Sequence, residues 1–167
     1  MAPAALPAGG SGGTAGRGAN PSTLTVPPDI FDPRIDGADY YWIVVNPGEL
    51  AAGASGSDTY QLDSAFDFYL IALTYMCDLA GAAVEDSTLI VPLETLLIYD
   101  GGSRRQLMNE PIPLNSIASP TAKEPYRLIR PRFFAASSSI KFTFANYSTS
   151  TTYSNTYLTL HGYTVLV

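Results

Sequence analysis

Residues 133–167 read FFAASSSIKFTFANYSTSTTYSNTYLTLHGYTVLV, and the alternation in this stretch decides the fold class. Ile140, Phe142 and Phe144 fall on one side of an extended chain and Lys141, Thr143 and Ala145 on the other. That period of two is what a half-buried strand requires. Asn155–Val167 repeats the pattern, with Leu158, Leu160, Gly162 and Leu166 on one parity and Tyr157, Thr159, His161 and Tyr163 on the other. Between them Ser148–Ser154 holds six Ser/Thr residues and one Tyr, so the pair is expected to form an antiparallel hairpin with a long polar tip. The terminal strand carries no Lys, Arg, Asp or Glu to guard an open edge, which predicts that it lies inside its sheet or beneath a partner.

Upstream, the β-branched and aromatic run Tyr40–Val45, closed by Asn46, Pro47 and Gly48, reads as a first strand. A small-residue loop at Ala51–Ser57 leads to a short strand at Asp58–Leu62. The apolar run Phe66–Leu79 has no polar stripe at a period of 3.6, and its Phe, Tyr and Ile content predicts a fully buried strand, with a helix as the alternative. Thr95–Asp100 meets the turn Asp100-Gly101-Gly102-Ser103 and returns through Arg104–Met108, a second hairpin signal. Pro111, Pro113, Pro120, Pro125 and Pro131 then mark a connection that forms neither a central strand nor a helix interior. Its Ile112, Leu114, Ile117, Leu128 and Ile129 are expected to cover part of the core. Seven or eight strands without a strong helix predict an all-β domain, a single antiparallel β-sandwich of jelly-roll-like type, over residues 39–167.

Residues 1–38 differ in kind, since prolines and glycines recur through them. Such a segment does not bury enough apolar area to offset its own ordering entropy, and it reads as an extended N-terminal arm. Leu6, Leu24, Val26, Ile30 and Phe31 are the expected anchors that lay it across a neighbour; a disordered leader is the alternative.

Charged residues make up 14% of the 167 residues, against the usual quarter, while 46% are hydrophobic and 11% aromatic. So little charge predicts surface hidden in an assembly. The net charge of −6 is uneven: residues 29–83 hold nine acids against Arg34, and residues 84–167 hold six acids against seven basic residues. An acidic chain argues against nucleic-acid binding. The local set Arg104, Arg105, Arg127, Arg130 and Arg132 reads either as strand-end charges or as inter-subunit charges that meet an acidic patch on a partner, such as the acidic half of another copy. A closed head-to-tail oligomer follows from that second reading, with a trimer as the first expectation. No stretch reaches the roughly 18 apolar residues of a membrane span, and the N-terminus lacks the basic start and apolar run of a signal peptide, so synthesis in a bacterial cytoplasm is expected.

No catalytic constellation emerges, and the expected class is non-enzymatic. Gly9–Gly13 spells a nucleophile elbow and Gly10–Ala15 a loose dinucleotide fingerprint, but neither follows a strand or opens a helix. Cys77 lies in an apolar run as a small core residue. His161 reads as a surface or interface side chain hydrogen-bonded across strands. One Cys and one His do not make a zinc site of the usual kinds; Asp29, Asp32, Asp36 and Asp39 are dense enough to suggest oxygen ligands for calcium, but their spacing is not that of an EF-hand loop and they read as loop acids. No cofactor is expected. Exposed Tyr40, Tyr41, Trp42 or Tyr153 offer aromatic faces on which sugars stack, which keeps a carbohydrate-binding sandwich as an alternative.

The segments Leu107–Ile117 (LMNEPIPLNSI), Arg130-Pro131-Arg132-Phe133-Phe134, Ile140–Asn146 followed by Tyr147, and Leu158–Tyr163 with its Leu-His-Gly-Tyr close resemble the style of small β-sandwich accessory proteins of tailed-bacteriophage virions. The resemblance is carried by about the last sixty residues. It implies a decoration or cement protein on the capsid exterior, with the major capsid protein and copies of itself as partners. A neck, tail or fibre-base component is the alternative within the same setting, and the resemblance brings no catalytic residues with it.

Overall fold

The computed structural model describes residues 38–82, 90–120 and 124–167. Over them the chain is nearly all β, with two sheets packed against each other as a β-sandwich. One sheet is ordered β1 (Ala38–Val45), β10 (Tyr153–Leu166), β3 (Phe66–Leu79), and the far edge of β3 is shared by β8 (Tyr126–Phe134) and the two-residue β7 (Ser119–Pro120). The other is ordered β2 (Ser55–Gln61), β9 (Ser139–Asn146), β4 (Glu94–Asp100), with β5 (Arg105–Gln106) and β6 (Ile112–Pro113) along the far edge of β4. A single helical turn, α1 (Leu114–Ile117), interrupts this pattern among the described residues. Every pairing is antiparallel except that of β3 with β7. The orders 1-10-3-8 and 2-9-4-5 are those of a jelly roll, in which the long strands pass back and forth between two sheets.

That topology corrects the expected C-terminal hairpin. β9 pairs with β2 and β4, whereas β10 pairs with β1 and β3, so the Ser/Thr loop crosses from one sheet to the other. Alternation identifies which face of a strand is buried but not which strand lies beside it, and both strands aim their apolar parity at one shared core. The hairpin predicted at Asp100–Ser103 is present, with Tyr99 opposite Gln106 and Asp100 opposite Arg105. The uncharged terminal strand is central, paired along both edges. Phe66–Leu79 is a strand of 14 residues, not a helix.

The inward parities meet in the middle. Ile43, Phe68, Leu70, Tyr75, Leu158 and Leu160 come from one sheet, and Leu96, Ile98, Ile140, Phe142 and Phe144 from the other, all essentially buried. Gly162 falls at a β-bulge where a side chain has no room, because a Cβ there would run into the Tyr69 carbonyl and the Phe68 ring. The proline-marked connection behaves as an edge, as expected: Pro131 lies in β8, an outer strand. Leu114 is fully buried, and Ile117 and Leu128 pack against the core. Ile129 departs from the expectation. It is 100% exposed, because Leu70 pairs with Arg132 and Ala72 with Arg127, so that residues 128–131 bulge out opposite Ile71 alone.

Candidate functional site

Strand register builds one distinctive surface on the outward face of the first sheet. Tyr40, Tyr163, Tyr69 and Phe133 stand side by side across β1, β10, β3 and β8. The Tyr69 and Tyr163 rings stack with centroids 4.9 Å apart at 4°, and Phe133 tilts onto Tyr69 at 5.3 Å. The next row is Trp42, His161, Ala72 and Arg127, and the next sets Val44 beside Thr159 and Thr74. Arg127 is the one ionised side chain in these three rows. Tyr40 is 63% exposed and Trp42 59%. Among the described residues the strand that carries them, β1, ends its sheet, and it holds no Lys, Arg or Pro to blunt that edge, Asp39 being its one charged residue.

His161 serves this surface as a brace. Trp42 Nε1 donates to His161 Nδ1 at 3.1 Å, which leaves the Nε2 hydrogen of the neutral ring to donate to Thr74 Oγ1 at 2.8 Å. Burial holds the imidazole pKa below its ordinary value, favouring the neutral ring. With both nitrogens engaged, the histidine fixes the indole on the sheet. Tyr163, under the same surface, has a buried hydroxyl without a partner among the described residues, and burial first, then Tyr69, pushes its pKa up to about 12.

A second polar cluster is enclosed between the sheets. Thr156 Oγ1 donates to Glu94 Oε1 at 2.8 Å and lies 3.4 Å from Cys77 Sγ. Burial raises the Glu94 carboxyl to about 7 against the lowering hydrogen bond from Thr156, and burial raises the Cys77 thiol to about 12. A thiol so protonated and fully buried is a packing residue, not a nucleophile. Tyr153, one of the aromatics offered above as a sugar platform, is buried too, its hydroxyl accepting from the Leu93 amide at 2.9 Å. That position is corrected to a core residue. Its side chain fills the crossing between β9 and β10, where a backbone bridge to Leu50 holds it.

The five arginines gather on one lateral edge of the sandwich. Arg127, Arg130 and Arg132 lie on β8, Arg104 and Arg105 in and after the β4–β5 turn, and Arg132 reaches across to Asp100 Oδ2 at 3.3 Å. Asp100 also accepts from the Ser103 hydroxyl at 2.6 Å and from the Gly102 and Ser103 amides. Burial opposes its ionisation, but these bonds outweigh it and hold the carboxyl below its ordinary value. Arg132 is thus tied within its own chain, while Arg104, Arg105, Arg127 and Arg130 are exposed. The arm anchors Leu6, Leu24, Val26, Ile30 and Phe31 lie outside the described residues, as do Asp29, Asp32 and Asp36. Among the described residues no cluster of three or more His, Cys, Asp or Glu side chains is arranged to hold a metal.

The aromatic rows escaped the sequence reading because they depend on register. Tyr40, Tyr69, Phe133 and Tyr163 are far apart in the chain and become one surface only once four strands are aligned. The available signal was the outward parity of Tyr163 and the run Tyr40–Trp42. Compared with known proteins, the chain matches no family model, and no curated protein is similar to it.

Proposed function

We propose that this protein is a non-enzymatic structural component of a tailed-phage virion, a decoration or cement protein that binds the capsid exterior and stabilises the lattice. Its partners in this reading are the major capsid protein and copies of itself, and its location is the virion surface. The observation that carries the proposal is the outward face of the β1-β10-β3-β8 sheet: its central rows are aromatic with Arg127 as their one charged side chain, and β1 at its border holds no Lys, Arg or Pro. A surface enriched in Tyr and Trp and depleted of charge has the composition of an interface core. Jelly rolls recur in viral capsid and lectin domains, which agrees by analogy of fold. The resemblance of the C-terminal sixty or so residues to phage accessory proteins points the same way. Residues 1–38 are assigned the bridging arm, with Leu24 and Val26 among its anchors.

Imaging the parent particle at side-chain resolution tests this directly. Density for the sandwich on the capsid shell, with the Tyr40 and Trp42 face turned toward the lattice, is the expected result; density at the neck or tail would move the protein to the alternative virion location. A carbohydrate-binding module is the second reading, favoured by the exposed, histidine-braced Trp42, since a fixed aromatic plane is preorganised for stacking on a sugar. Screening the purified chain against immobilised glycans separates the two.

A further inference from the structure

The two lateral edges of the sandwich differ in both shape and charge. At one edge the β8 bulge projects Ile129, fully exposed, between Arg127 and Arg130. At the opposite edge, where β1 adjoins β2, a cleft of about 260 Å³ opens between the sheets, lined by Tyr41, Tyr60, Phe66 and Thr164, with Asp39 and Asp63 also in its wall. The Tyr41 and Tyr60 hydroxyls meet across it at 3.0 Å. An apolar cavity of about 150 Å³ already accommodates benzene, so this cleft has room for a branched aliphatic side chain. We propose that the protein associates head to tail with copies of itself, the Ile129 bulge of one copy entering the β1–β2 cleft of the next.

Two features select this occupant. An apolar tip flanked by Arg127 and Arg130 complements a largely aromatic cleft with Asp39 and Asp63 in its wall, so each flanking arginine gains a carboxylate as Ile129 leaves water. An apolar opening lined by Leu128, Met108 and Arg132 lies on the same edge as Ile129 itself. Seating a second copy there would bring two arginine clusters together, and like charges oppose that arrangement. Knob and cleft on opposite edges make the contact heterologous, which closes into a ring or extends as a filament. The inference deepens the assembly half of the proposed function and rests on the reading that the protein binds copies of itself.

Sedimentation velocity of the full chain, with Ile129→Asp beside it, tests the contact. The wild type is expected to form species larger than the monomer at micromolar concentration, and Ile129→Asp to weaken that association about ten- to a hundredfold with an unchanged melting temperature. Oxidative cross-linking fixes the geometry. A mixture of Ile129→Cys and Thr164→Cys chains should give a 129–164 disulfide between chains, with buried Cys77 unreactive in both. Equal association of wild type and Ile129→Asp, or 129–129 cross-links alone, would overturn this contact and leave self-assembly standing. A wild-type monomer at all concentrations would overturn self-association in solution altogether, with capsid binding then judged separately on particles.

Discussion

Across the outward face of the β2-β9-β4 sheet the register sets Ser57 beside Thr143 and Leu97, and Thr59 beside Lys141 and Tyr99. The corresponding rows of the β1-β10-β3-β8 sheet are Tyr40, Tyr163, Tyr69, Phe133 and Trp42, His161, Ala72, Arg127. Both sheets turn the same kind of apolar parity inward, so the core demands nothing different of them. Their outer faces answer to their surroundings instead. Small hydroxyls and a lysine, with Leu97 and Tyr99 between them, make a mixed face that suits water, whereas stacked tyrosines and a braced tryptophan suit another protein surface. The difference between the faces therefore carries functional information that the core does not.

Equality inside is the first part of this comparison to break or sharpen. Phe142→Ala in one sheet and Phe68→Ala in the other should each destabilise the fold by about 3–5 kcal/mol, because both rings are fully buried between the sheets. Denaturant midpoints that differ strongly between the two would mean that one sheet, not a shared core, dominates stability. Next in size is Asp100→Ala, expected to cost about 2–4 kcal/mol, since it orphans the Ser103 and Gly102 donors and leaves Arg132 without its partner. The carboxyl of Asp100 lies below its unfolded value, so its stabilisation is present above about pH 4 and lost as pH falls through the lower folded value. Acid titration of the variant's stability should lack that limb.

Glu94, at the other end of the same strand and the same inward parity, behaves in the opposite sense because it has Thr156 as donor where Asp100 has four donors. Its folded value of about 7 exceeds the ordinary carboxyl value of 4.5, so the folded state binds the extra proton and stability falls as pH rises between them. Glu94→Gln should flatten that slope and raise stability at pH 8 by roughly 1–3 kcal/mol while changing little at pH 4. A variant less stable than wild type at pH 8 would show that the carboxylate is favourably held after all.

How far the sequence carried this description depends on what each feature requires. Ile140, Phe142 and Phe144 were legible as an inward face because parity needs only one strand, and the uncharged run Asn155–Val167 was legible as either a central strand or one beneath a partner because an edge needs guarding. Neighbouring strands were legible at the tight Asp100–Ser103 turn but not across the long Ser/Thr loop, because alternation in β9 and β10 is equally compatible with a hairpin and with two sheets. Ile129 was misread because apolarity alone does not reveal a bulge. The burial of Glu94 had a usable signal, its shared parity with Leu96 and Ile98. The aromatic face needed the register of four strands and so emerged only with the fold.

The smallest stability effects belong to the outer faces themselves. Thr143→Ala should change stability by less than about 0.5 kcal/mol, and Trp42→Ala by about 1 kcal/mol through loss of its bond to His161. These two variants separate the faces by function. The decisive measurement is co-sedimentation of purified protein with capsids that lack it, comparing wild type, Thr143→Ala and the double variant Tyr40→Ala/Trp42→Ala. The account predicts that wild type and Thr143→Ala pellet with the particles at saturating stoichiometry while the folded double variant stays in the supernatant; double-variant chains that bind capsids as wild type does, or a wild type that does not bind them, would contradict it.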